Sequence, residues 1–281
     1  MGGTWKHVRY VLSENPVTLV AAGLFALFVL LALIGPSIVP YDPLASDTAV
    51  ALKPPSAAHW FGTDALGRDI FSRTIVATRL DLGIALSAVV LSFAIGISLG
   101  LAAGFFGGWW DLTVTRVSDT IMAFPLFVLA MGIVAALGNE VINIVIATAI
   151  INFPLYARVA RAEANVRRDA GFIEAARLSG NGEARVVLGH VLPNIMPIMM
   201  VQMSLTMGYA ILNAAGLSFI GLGVRPPAPE WGIMVAEGAN FIQSGEWWIA
   251  LFPGAALMLA VFCFNLLGDG LRDIIDPRQR T

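Results

Sequence analysis

The chain has 281 residues, of which 57% are hydrophobic and 13% charged, with a mean hydropathy of +0.78. A soluble domain carries about 25% charged residues, so this composition is that of a membrane-embedded chain. The net charge of −2 excludes a nucleic-acid binder, which needs a basic surface, and a single cysteine, Cys263, excludes an intrachain disulfide framework.

A helix needs about 20 mostly apolar residues to cross a hydrocarbon core of about 30 Å. The first stretch to qualify is Val17–Ile38. A cleaved signal peptide is the competing reading, but the run lacks a convincing small-x-small cleavage site and has Pro36 and Pro40 around its end. From Tyr41 to Asp81 the chain turns polar and contains HWFGTDALGRDIFSRTIVATRLDL. Gly62, Asp64, Gly67 and Asp69 are turn and cap residues, and Asp69 is placed to cap a helix opening at Ile70. Asp64 and Asp69 lack the spacing of a calcium loop, which favours a structural turn.

The second span is Leu82–Phe106, where Gly96, Gly100 and Gly104 form one smooth face for close helix packing. The third, Thr120–Leu137, and the fourth, Val141–Ala157, are separated only by Gly138-Asn139-Glu140, which predicts a tight antiparallel hairpin. From Tyr156 to Gly180 the chain reads as one helix, with possible breaks, that leaves the bilayer, carrying Arg158, Arg161, Arg167 and Arg168 toward a phosphate-rich face. Gly180 is a helix terminator. Asn181 is expected to cap a second helix, with Glu183 in its first turn, that runs to Pro193.

The fifth span, Ile195–Ile220, is longer than one crossing requires, and Asn213–Gly216 predicts a bend or a second short helix. Five methionines, Met196, Met199, Met200, Met203 and Met207, share one face of it. Soft side chains there suit either gap-filling or the lining of a pathway, with Met199, Met203 and Met207 the candidate lining residues. The segment GVRPPAPEWGIMVAEG is stiffened by three prolines, which suits docking of an external partner or bracing of the bundle. Trp247–Leu267 is the sixth span.

Placing both termini in the cytoplasm puts 12 of the 17 Lys and Arg residues inside, as the positive-inside bias requires. The charged insert around Gly180 then faces the cytoplasm and forms a helix–turn–helix knob. Catalytic signatures are absent. The histidines His7, His59 and His190 are dispersed, and neither Lys6 nor Lys53 lies in a Gly-Lys-Ser/Thr loop. No catalytic, cofactor-binding or metal-ligating residue is assigned, and energy from ATP must come from another polypeptide. The helices hold almost no mid-span acids, so a self-contained secondary transporter or channel would lack coupling groups. An intramembrane enzyme would lack a nucleophile and base at one depth.

The order Glu174-Ala175-Ala176, three residues, Gly180, then Leu192-Pro193 resembles the EAA loop of binding-protein-dependent ABC importer permeases. GTDALGRDIFSR, GLSFIGLGVRPPAPEWG and NLLGDGLRDIIDPR resemble the C-type permease of the dipeptide, oligopeptide and nickel branch, over nearly the whole chain. His190 stands where many importers have isoleucine, and a histidine there is usual in the peptide branch.

The resemblance implies an all-α membrane protein of six transmembrane helices with the type I ABC importer fold. It implies a tail, first helix and outer segment over 1–80, a transmembrane domain over 81–270 with its coupling loop at 158–193, and a cytoplasmic tail over 271–281. It further implies that Glu174, Ala175, Ala176 and Gly180 contact a cytoplasmic ATPase. The expected partners are a second homologous permease, two ATPase subunits that bind ATP and Mg, and an extracytoplasmic solute-binding protein. The expected location is a bacterial or archaeal plasma membrane, the inner membrane of a Gram-negative cell. The expected cargo is di- or oligopeptide, with nickel, glutathione or another small solute as alternatives.

Overall fold

The computed structural model describes residues 16–275. Lys6, His7 and Arg9, and residues 276–280 at the end of the last motif, lie outside the described residues. Within them the chain is all helix apart from turns, with a single isolated bridge between Thr63 and Asp69.

Helix α1 is Pro16–Ile38. Helix α2, Ile70–Phe106, is 37 residues long, or about 55 Å. Its start is the one the cap residue specifies, since Asp69 accepts a hydrogen bond from the Ser72 N–H at 2.8 Å. The stretch before Leu82 is therefore continuous with the membrane-crossing part.

The third expected span is not one straight helix. Helix α3, Gly108–Ala123, and helix α4, Leu126–Leu137, meet at 92°. Phe124 precedes Pro125 and is extended, at φ −83° and ψ 149°, because the proline ring crowds a helical residue before it. Hydropathy alone reads straight through that break. The α4–α5 turn is short, as expected, and Asn143 donates to the carbonyls of Leu137 and Gly138.

Helix α5, Val141–Arg167, is followed by α6, Gly171–Leu178, and α7, Glu183–Val186. A π-helical turn, Val187–Val191, leads into α8, Leu192–Phe219. Helix α8 runs through Asn213–Gly216 without a break. The additional short helix lies further on, as α9, Trp231–Ala239. Helix α10 is Trp248–Ile275. Among the described residues five helices are long and apolar enough to cross a membrane, or six when the bent α3–α4 pair is counted as one span.

The most extensive seam joins α2 to α5. A Cβ on Gly96, Gly100 or Gly104 would lie 2.7, 2.4 or 2.3 Å from the carbonyl oxygens of Phe153, Ala157 and Arg161 respectively. The glycine face thus packs backbone against backbone. At the outer end, α9 is wedged between α8 and α10, where a Cβ on Gly232 would meet the Ala215 carbonyl and one on Gly238 the Ala250 nitrogen.

Candidate functional site

At the inner end of the bundle the chain makes an elbow. Helix α5 ends at Arg167, whose guanidinium reaches back one turn to Glu163. Three residues follow, and Ala170, in extended conformation, opens α6. Of its eight residues Ile173 and Ala176 are buried, joining Phe105 of α2 and Val186, Val187 and Val191 in one apolar cluster. The helix thus lies on its own subunit along one face.

The turn out of α6 is fixed by backbone geometry. Gly180 has φ +83°, which a side chain would strain. The Gly180 N–H donates to the Arg177 carbonyl at 2.9 Å, and the Asn181 N–H to the Ala176 carbonyl at 3.3 Å. These are the paired bonds of a Schellman stop. Asn181 does not cap the next helix. Its side-chain amide donates backward to the Ala176 carbonyl at 2.9 Å, and Gly182 occupies the cap position of α7. A small polar residue after the glycine completes the stop as well as it would open a helix, and the sequence does not distinguish the two.

Arg177 staples the elbow. Its Nε and Nη2 donate to the two carboxylate oxygens of Glu183 at 3.0 and 3.1 Å. Its Nη1 reaches the Arg168 carbonyl at 3.4 Å, and the guanidinium lies 5.3 Å from the centre of the Phe105 ring. One side chain therefore joins the end of α5, both arms of the elbow and the inner end of α2. The motif residues give no role to Arg177; the signal was its spacing of six from Glu183 across a glycine turn.

The outward face carries Glu174 and Ala175, both exposed, beside Phe172 and Leu178. Leu178 is 90% exposed. Ala176, expected to share in an outside contact, instead faces inward, where its small size lets α6 approach its own subunit.

The methionine face of α8 is mostly internal. Met199 and Met207 are buried in the main core and Met203 packs at its margin. An apolar groove of about 400 Å³ lies instead between α8 and α10, lined by Leu212, Leu257, Met258, Val261, Phe262 and Asn265.

At the outer end, Asp64 pairs with Arg68 at 2.6 Å and His59 with Asp69 at 2.9 Å, so both aspartates serve the turn. Glu230 caps α9 by accepting from the N–H groups of Gly232 and Ile233 at 3.0 and 2.8 Å. Burial pushes its carboxyl above the usual carboxylate range, with those two bonds and one to Asp81 opposing. Trp231, fully buried, donates its backbone N–H to Asp81 at 3.2 Å and its indole N–H to the Thr74 carbonyl at 3.0 Å.

A bundle of long apolar helices that cross a membrane defines the class: a multi-pass membrane protein. The chain belongs to the family described as binding-protein-dependent transport system inner membrane component, which it matches over residues 96–281. Residues 3–55 match the N-terminal transmembrane domain of oligopeptide transport permease C. Similar proteins include a dipeptide transport system permease of Alkalihalophilus pseudofirmus, 40% identical, covering 99% of this chain and 91% of the relative. A di/tripeptide transport system permease of Pseudomonas aeruginosa is 44% identical over 91% of this chain and 86% of its own. A glutathione transport system permease of Escherichia coli is 41% identical over 98% and 89%.

Proposed function

We propose that this chain forms half of the translocation pathway of an ATP-driven importer for di- or oligopeptides. An extracytoplasmic binding protein delivers the cargo, a second homologous permease supplies the other half, and two cytoplasmic ATPase subunits bind ATP and Mg. The membrane is the plasma membrane of a bacterium, the inner one where there are two. The peptide relatives support the cargo class, and the groove between α8 and α10 supports a pathway shared between subunits. None of Met199, Met203 and Met207 lines that groove.

The observation that carries the coupling role is the elbow. Phe172, Ala175 and Leu178, exposed together beside Glu174 on the outward side of α6, make an apolar patch with a charge at its edge, which suits a protein contact. Phe172, Ala175 and Leu178 enter the ATPase groove, Glu174 supplies a charged contact, and Gly180 holds the angle. ATP binding closes the ATPase pair, displaces the elbows and rocks the bundles, and hydrolysis resets them.

Two substitutions test the role. Leu178→Asp should abolish co-purification of the ATPases, and Gly180→Val should lower both uptake and stimulated hydrolysis, with membrane insertion intact in each. Normal uptake and normal stimulated hydrolysis in Gly180→Val would overturn the assignment. Transport by the chain alone in liposomes would favour a self-contained channel or secondary transporter. The glutathione relatives support a second cargo reading, decided by identifying what the purified binding protein retains.

A further inference from the structure

The elbow is joined to α5 by only three residues, which raises the question of what α5 carries with it. Two neighbours are attached to α5 in opposite ways. Helix α2 is seated backbone to backbone through its glycines, so α2 and α5 move as one body. Helix α3 is joined to the chain at two bendable points. At one end Gly107 and Gly108 have φ +67° and +56°, and a Cβ on Gly108 would meet nothing within 4 Å. At the other end lies the 92° junction with α4. A rod with a joint at each end takes its position from whatever it is tied to.

The tie is to α5. Val114 of α3 packs with Phe153 and Ala157 of α5, and with Ala103 of α2, in a small apolar seam, flanked by two charge pairs to α5. Arg161 grips Asp111 with two nitrogens, Nη2 to Oδ2 at 2.8 Å and Nε to Oδ1. Arg158 Nη2 donates to Asp119 Oδ1 at 3.0 Å. The aspartates are eight residues apart, about 12 Å along α3, whereas the arginines are three apart, about 4.5 Å along α5. The guanidinium arms therefore splay, one toward each end of α3. Sliding α3 in either direction slackens one arm and stretches the other. A cleft of about 230 Å³ lies between them, so steric interlocking does not fix the register there.

We propose that Asp111 and Asp119 are positioning residues: with Arg161 and Arg158 they form a two-armed bracket through which displacement of the elbow swings α3 about its end joints. The inference rests on the reading of the elbow as the ATPase contact and names the element that contact moves. Swinging α3 re-aims α4 at the Phe124–Pro125 bend, so motion begun at the ATPase reaches a membrane-crossing segment.

The test uses the whole importer in nanodiscs, with Cys263→Ser and spin labels on Val117→Cys of α3 and Leu259→Cys of α10, a helix outside the α2–α5 body. A separate sample carries the label pair Ala184→Cys on the elbow and Leu212→Cys on α8. Distances are measured before and after trapping with ATP and vanadate. Both pairs should shift, by more than about 2 Å. Asp111→Arg and Arg161→Asp, each alone, should at least halve the α3 shift while the elbow shift persists, and the exchanged double variant should restore it. Asp111→Asn serves the same comparison where a reversal fails to assemble.

An elbow that moves with α3 still, or an α3 shift indifferent to these substitutions, would overturn the bracket and leave the elbow reading standing. An α3 shift not restored in the exchanged variant would also overturn it. An elbow that does not move removes the reading beneath it.

Discussion

Replacing Gly100 with alanine tests whether α2 and α5 are held backbone to backbone. The added methyl would sit 2.4 Å from the Ala157 carbonyl oxygen and 2.8 Å from the Ala160 Cβ, against ordinary contact from 3.4 Å. The seam must open by about 1 Å there, and a gap of that size forfeits a quarter to a half of each dispersion contact along it. Overpacking costs about 1–3 kcal/mol, with the upper half expected because backbone rather than a side-chain tip must yield. Alanine also gains about 1 kcal/mol over glycine in helix propensity, so the control is Gly83→Ala in the same helix, where nothing lies within 4 Å. The two variants should differ by roughly 4–12 °C in melting temperature, followed by tryptophan fluorescence in detergent. If Gly100→Ala melts with Gly83→Ala, the close packing is not what holds this seam.

Two further outcomes follow from the same geometry. Arg177→Ala removes every contact of the staple across the elbow, so amide exchange at Gly180 and Asn181 should quicken severalfold while the membrane helices keep their protection; unchanged exchange would mean that the glycine stop is sufficient alone. Glu230 binds its proton more tightly when folded than unfolded, so its contribution is complete below the ordinary glutamate value of 4.5 and is lost as pH rises through the folded value. The melting temperature should fall toward alkaline pH by about 2–4 °C for each kcal/mol lost, and Glu230→Gln should flatten that slope. An equally steep slope in the variant would assign it to another group.

Much of this was legible from local chemistry. Asp69 announces the start of α2 because a cap depends only on the residues it touches, and Gly180 announces the end of α6 for the same reason. The glycine face of α2 was readable as a packing surface because its spacing is helical. What the sequence hid depends on neighbours distant in the chain. Pro125 lies in an apolar run, and hydropathy sums across it. Met199 and Met207 share a helical face with Met203, yet which face turns inward is decided by α10 and α2. Trp231–Ala239 is short and follows three prolines, so the helix shows only once Glu230 is recognised as a cap. Ala176 matches the same motif as Ala175, and a helix rotated by about 100°, one residue's worth, would exchange their directions.

The bare leucine at position 178 also bears on the life of the subunit before assembly. On the proposed coupling reading, a copy made in excess of the ATPase displays that side chain to every chaperone and protease in the cytoplasm, on a projection too well braced to fold it away. The abundance of the chain should therefore follow the supply of its partner, with surplus copies cleared first. The same residue would then police stoichiometry in the newly made protein and transmit work in the finished one.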